Sequence, residues 1–119
     1  MKKIITITIV LLLTQTVKSQ TVNGFQLDSI PAKYVTIVST SKIFKIFQTT
    51  TYLDYGQIST VRDIRKGQIM ENGKLMVFNG TMGALNFLQS KGYKYINQYL
   101  ITASGQNVYY ILLENTNYK

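Results

Sequence analysis

The chain has 119 residues, with 13 Lys and Arg against 5 Asp and Glu, a formal net charge of +8. It contains no histidine and no cysteine, which removes Ser–His and Cys–His nucleophile pairs, the usual nitrogen and sulfur ligands of zinc, and disulfide stapling. Stability then rests on packing and backbone hydrogen bonds, which one domain of this size can supply.

Residues 1–19 read as a signal peptide. Lys2 and Lys3 give a positive start, and residues 4–13 form an apolar run interrupted only by Thr6 and Thr8. That run is too short to cross ~30 Å of hydrocarbon as a helix. Ser19 is small enough to precede a cleavage site, which would leave Gln20 as the new N-terminus. The expected localisation is export, periplasmic or secreted, with no integral membrane segment after cleavage. The alternative is a buried N-terminal strand or helix. Without Lys2, Lys3 and Lys18, the basic excess falls from +8 to +5. Residues 20–32 are polar, hold the only proline, Pro31, and read as a poorly ordered leader before a single α+β domain at 33–119.

In that domain, "KYVTIVSTS" from Lys33 has the β-branched and aromatic content of a strand. "IFKIFQTTTYLDYG", residues 43–56, reads as a second, longer strand closed by Asp54, Tyr55 and Gly56. "QISTVRDIRKG" after it is a connector or irregular edge. Asn72-Gly73 between two apolar runs predicts a type I′ hairpin, because both central residues need positive φ. Its arms are expected at residues 68–70 and 75–78.

A helix of about eleven residues follows, capped by Asn79 or Thr81 and ended by Gly92. Thr81, Ala84, Leu85 and Leu88 fall on one side, flanked by Met82 and Phe87. Gly80, Gly83 and Asn86 weaken it by up to ~1 kcal/mol each relative to alanine, so it forms only when docked. "YKYINQYLIT" then alternates, with Tyr93, Tyr95, Asn97, Tyr99 and Ile101 on one face and Lys94, Ile96, Gln98, Leu100 and Thr102 on the other. "NVYYILL" is apolar on both faces, as an interior strand would be. The expected fold is α+β, an antiparallel sheet of about four main strands plus a short hairpin, with one helix packed on it in the order ββ-ββ-α-ββ.

Candidate chemistry is sparse. No cofactor-binding or metal-binding motif occurs, and the glycines mark turns. A carboxylate-dependent hydrolase would need Asp54 to converge with Asp63 or Glu71, yet all three fall in turns that explain them structurally. Arg62, Arg65 and Lys66, with Lys94 from the tyrosine strand, form a candidate basic patch. Three charges in a connector diluted by Asp63 fall short of the basic stripe of a nucleic-acid interface. The 9 tyrosines are suited either to stacking on sugars or bases or simply to half-buried strands.

The run F-N-x-x-x-x-A-L-N-x-x-x-x-x-G-Y at residues 78–93, the tyrosine strand after it and N-V-Y-Y-I-L-L at 107–113 resemble small exported bacterial proteins of unknown function. Their helix usually ends in Gly-Trp, where this chain has Gly92-Tyr93, and Glu114 stands where a lysine is common. "DYGQ", residues 54–57, looks like their earlier motif. The resemblance implies export and a helix on a sheet, and it implies no activity.

A single helix of ~10–12 Å covers only part of a four-stranded sheet ~19 Å wide and leaves the other face without a helix. The chain therefore reads as a non-enzymatic exported module that binds a protein or envelope component, or a second copy as a homodimer. Its candidate surface is Ile96, Leu100, Tyr109 and Ile111. The alternative is a glycan or anionic-polymer binder using tyrosines with Lys and Arg.

Overall fold

The computed structural model describes residues 19–41, 48–103 and 105–119. The expected signal peptide, apart from Ser19, lies outside the described residues, as do residues 42–47 of the expected second strand. The fold is α+β and antiparallel, and it contains two sheets rather than one.

The larger sheet has five strands in the order β7-β4-β3-β9-β8. These are β3 (Tyr34–Ser41), β4 (Gln48–Asp54), β7 (Phe78–Asn79), β8 (Tyr93–Ala103) and β9 (Gln106–Asn115). The smaller sheet runs β2-β1-β5-β6. It comprises β1 (Gln20–Val22), β2 (Phe25–Gln26), β5 (Ile69–Glu71) and β6 (Lys74–Leu75). One helix, α1 (Gly80–Ser90), and two 3-10 segments, Leu27–Ser29 and Val61–Gly67, complete the described elements. Among the described residues no helix is long and apolar enough to cross a membrane.

The single-sheet expectation fails because residues 20–32 are not a loose leader. Polar in average composition, they still place Val22, Leu27 and Ile30 in the same buried cluster as Ile37, Leu53, Leu88 and Leu113. Val22 pairs with Ile69, so the N-terminal strand and the Asn72-Gly73 hairpin build the second sheet together. The hairpin turn has φ of 52° at Asn72 and 78° at Gly73, the positive pair that a type I′ turn requires. Its arms are offset from expectation, pairing Met70 with Leu75 and Glu71 with Lys74.

The connector is ordered as well. Thr60 and Asp63 form a capping box at the start of the second 3-10 segment, each side chain accepting the other's backbone N–H. The Gln57 side chain then ties that segment to β4, donating to the Leu53 and Lys66 carbonyls at 2.7 and 3.2 Å.

Helix α1 buries Ala84 and Leu88 completely, while Leu85 and Phe87 pack half-buried against the core. Asn79 occupies the cap position without a side-chain capping bond. Thr81 is not a cap either, since its hydroxyl lies 2.9 Å from that of buried Ser39 on β3. This bond and the leucine contacts dock a helix whose own propensity is weak.

Gly92 follows the helix at φ 93°, and an added Cβ there would sit 2.7 Å from the Asn117 side chain. The positive φ favours glycine, and any side chain there would also have to displace Asn117. Next to it, Tyr93 is buried and donates from its hydroxyl to the Leu27 carbonyl at 2.5 Å. The Gly-aromatic pair therefore clamps the end of α1 to the N-terminal segment and builds core.

Candidate interaction surface

Cross-strand partners share a face of the sheet, so the register sorts every side chain. Val35, Ile37 and Ser39 of β3 face the helix with their partners Leu113, Ile111 and Tyr109 of β9. Leu53 and Thr51 of β4 lie on that side too. The opposite face carries the row Tyr52–Val38–Tyr110–Tyr99, one residue from each of β4, β3, β9 and β8. Flanking rows hold Asp54, Thr36, Leu112 and Asn97 on one side, and Thr40, Val108 and Ile101 on the other. None of these eleven residues is buried. The rings of Tyr99 and Tyr110 stack at 4.8 Å with their planes 7° apart, and Tyr99 remains 58% exposed.

The register of β8 corrects the expected alternation. Its pairing with β9 slips between Tyr95 and Asn97, leaving Ile96 as the extra residue of a bulge. Before the slip Tyr93 and Tyr95 face the helix side, opposite Asn115 and Leu113. After it, Gln98, Leu100 and Thr102 do so, opposite Ile111, Tyr109 and Asn107. One inserted residue exchanges the two faces for the rest of the strand.

The four residues expected to form a second-face surface therefore separate. Leu100, Tyr109 and Ile111 lie on the helix side of the sheet. Ile111 is 1% exposed and belongs to the core. Leu100 is 49% exposed and Tyr109 half-buried, because both sit past the region that α1 covers, and Ile96 protrudes at the bulge. The residues that do share the uncovered face are Val38, Tyr52, Tyr99, Ile101, Val108, Tyr110 and Leu112. Sequence reasoning missed them as a set, since Tyr99 and Ile101 join this face only through the slip at Ile96.

The basic patch also disperses. Arg62 and Arg65 are exposed on the 3-10 segment beside β4. Lys66 pairs with Asp63 at 2.8 Å. Lys94 lies on β8, across β3 and β9 from β4, about 14 Å away at the usual strand spacing. In the register it stands beside Glu114, whose other neighbour is Tyr34.

Asp54 and Asp63 each have a local task. Asp54 accepts the Gly56 N–H at 2.9 Å in the "DYGQ" turn, where Gln57 accepts the Tyr55 N–H at 2.7 Å. Tyr55 in turn meets Phe25 edge-on at 6.2 Å and accepts from Asn23 at 3.1 Å, joining the turn to the small sheet. Asp63 takes hydrogen bonds from Lys66 and Ser59, which hold its carboxyl well below the usual range. Glu71 lies in β5, opposite Gln20 and Lys74. Among the described residues no group of three or more Asp and Glu side chains could hold a metal ion. Burial, with a smaller contribution from Asp28, raises the Tyr93 hydroxyl pKa well above the ordinary tyrosine value, so this tyrosine is a neutral core donor.

Comparison of the chain with known protein families, with curated proteins and with solved structures finds no match.

Proposed function

We propose that this chain is an exported bacterial binding module without a catalytic role, which meets a protein or another component of the cell envelope through the helix-free face of its larger sheet. The observation that carries the reading is the uncovered row Tyr52–Val38–Tyr110–Tyr99. Contiguous apolar surface left open usually marks an interaction site, and tyrosine offers a flat apolar body with a polar tip. The absence of histidine and cysteine and the local tasks of Asp54 and Asp63 support the non-catalytic part. Export rests on the pattern of residues 1–19. Cleavage after Ser19 would spare Val22, the first buried residue of the described chain, and would remove the carbonyl that accepts the Asn72 N–H.

The test is capture from the host envelope with the wild type and with a Tyr99→Asp, Tyr110→Asp variant, alongside mass spectrometry of the native protein. The expected results are an N-terminus at Gln20 and a partner retained by the wild type and lost by the variant. A full-length cytoplasmic chain would overturn export, and equal capture by both proteins would overturn the surface.

A second reading keeps the face and changes the ligand. Exposed Tyr34 and Tyr99 lie on the same side of the sheet as Lys94, which favours a glycan or another anionic polymer. Binding of that kind weakens steeply with added salt, and no retention on an anionic polysaccharide at low salt would remove it.

A further inference from the structure

The outer edge of β8 deepens the reading of the chain as a binding module by naming a partner. β8 is the outermost strand of the larger sheet and spans eleven residues. Among the described strands only β9 pairs with it, so its other side offers outward N–H and C=O groups, of which the Gln98 N–H is held by the Asn97 side chain at 2.8 Å and is released on pairing. Natural sheets guard such an edge with charge, proline, a bulge or a covering element. Here the guards sit at one end, where Lys94 and the bulge at Ile96 interrupt the strand. From residue 97 to 103 the sequence Asn-Gln-Tyr-Leu-Ile-Thr-Ala has no charge and no proline, and its register with β9 is unbroken. Tyr99, Leu100 and Ile101 are 58, 49 and 47% exposed.

We infer that this edge pairs antiparallel with the same edge of a second copy, about a two-fold axis at Leu100, joining two five-stranded sheets into one. The free backbone groups require a strand as occupant, and self-pairing matches the side chains. The axis sets Leu100 against its own counterpart on the helix side and Tyr99 against Ile101 of the other copy on the helix-free side. Aromatic–β-branched partners of this kind favour pairing. Although the chain carries a net +8, no charge enters the seam, and Lys94 lies beyond its end. Seven residues give a seam of about 24 Å, burying on the order of 1,000 Å² in total, the low end for a specific interface. An interface of this size suits a reversible dimer, to be sought at micromolar concentration.

The test is sedimentation of the protein purified from its host, with Leu100→Lys as the disrupting variant. Oxidative cross-linking of Leu100→Cys is compared with Val61→Cys, which lies on the exposed 3-10 segment away from the edge. The wild type should dimerise, and Leu100→Lys should weaken the dimer about tenfold or more, through like charges at the axis. Leu100→Cys should cross-link efficiently, because opposed Cα atoms in an antiparallel pair lie within disulfide range. A dimer untouched by Leu100→Lys, or cross-linked better through Val61→Cys, would overturn the seam. A monomer at 100 times the expected concentration range would overturn self-pairing. If that monomer still captures an envelope partner through Tyr99 and Tyr110, the binding-module reading stands alone; if it captures nothing, both fall.

Discussion

The β8–β9 hairpin draws on the same residue classes along its length and is treated differently at its two ends. At the near end Tyr93, Ile111, Leu113 and Asn115 are buried, beneath α1 and against the N-terminal segment. Asn115 anchors that contact by donating to the Ile30 and Ala32 carbonyls at 3.1 and 3.0 Å. At the far end Tyr99, Leu100 and Ile101 belong to the same residue classes and stay about half exposed. Residue type is not what separates the two ends. Helix α1 is eleven residues long, and residues 27–32 meet the hairpin at Tyr93 and Asn115, so cover runs out before the hairpin does. The protein extends a strand pair past its own core, and the extension stays exposed.

Substitutions at the two ends should therefore differ by an order of magnitude. The largest effect is expected from the near-end cover. Leu88→Ala removes a fully buried anchor and should cost about 2–5 kcal/mol, a large share of a small domain's stability. Denaturant melts giving less than ~1 kcal/mol would mean that α1 does not hold the near end.

Next comes the clamp beneath it. Tyr93→Phe leaves the buried Leu27 carbonyl without its donor and should cost about 1–3 kcal/mol. The same residue sets an alkaline limit. Its folded pKa is raised, so its contribution is fully present below the unfolded tyrosine pKa of ~10 and declines as pH rises above it. Stability measured from pH 8 to 11 should fall less steeply in Tyr93→Phe than in the wild type. Parallel curves would assign the alkaline loss to other tyrosines.

A smaller change of opposite sign sharpens the comparison. A Cβ at Gly83 would meet only the Asn79 and Phe78 Cβ atoms, at an ordinary 3.9 Å. Gly83→Ala should stabilise the protein by about 0.5–1 kcal/mol through backbone entropy. A loss on melting would show that α1 packs more closely at Gly83 than this spacing implies.

The smallest effect is expected at the far end. Ile101→Ser should change the stability of the dilute protein by no more than about 0.5 kcal/mol. A loss comparable to that of Leu88→Ala would place Ile101 in a core and dissolve the distinction between the two ends.

Several of these features are legible in the sequence because one residue dictates them locally. Asn72-Gly73 needs positive φ, Gly92 ends a helix, and Leu88 falls on the apolar side of an eleven-residue helix. The "DYGQ" turn and the Gly-aromatic pair also stand out, although both prove to be fastenings of the core. The failures arise where the cause is distant. Val22, Leu27 and Ile30 look scattered among polar residues, and their partners Ile69, Tyr93 and Asn115 stand at least 47 positions away. The capping box at Thr60 and Asp63 carries a readable signal, the Thr-x-x-Asp spacing, which an expectation of irregular structure passed over. The bulge at Ile96 carries none. A one-residue slip leaves local composition unchanged and exchanges the faces of Leu100 and Tyr99, so strict alternation sets Leu100 on the open surface and Tyr99 off it.

Hydrogen exchange along β8, followed as protein concentration rises from about 1 to 100 μM, across the usual range for weak association, tests the contrast most directly. The account predicts that amides near Tyr93 are protected at every concentration, and that outward amides between residues 97 and 103 gain protection as concentration rises. Protection of residues 97–103 that is already complete in dilute solution, or exchange near Tyr93 as fast as at the far end, would contradict it.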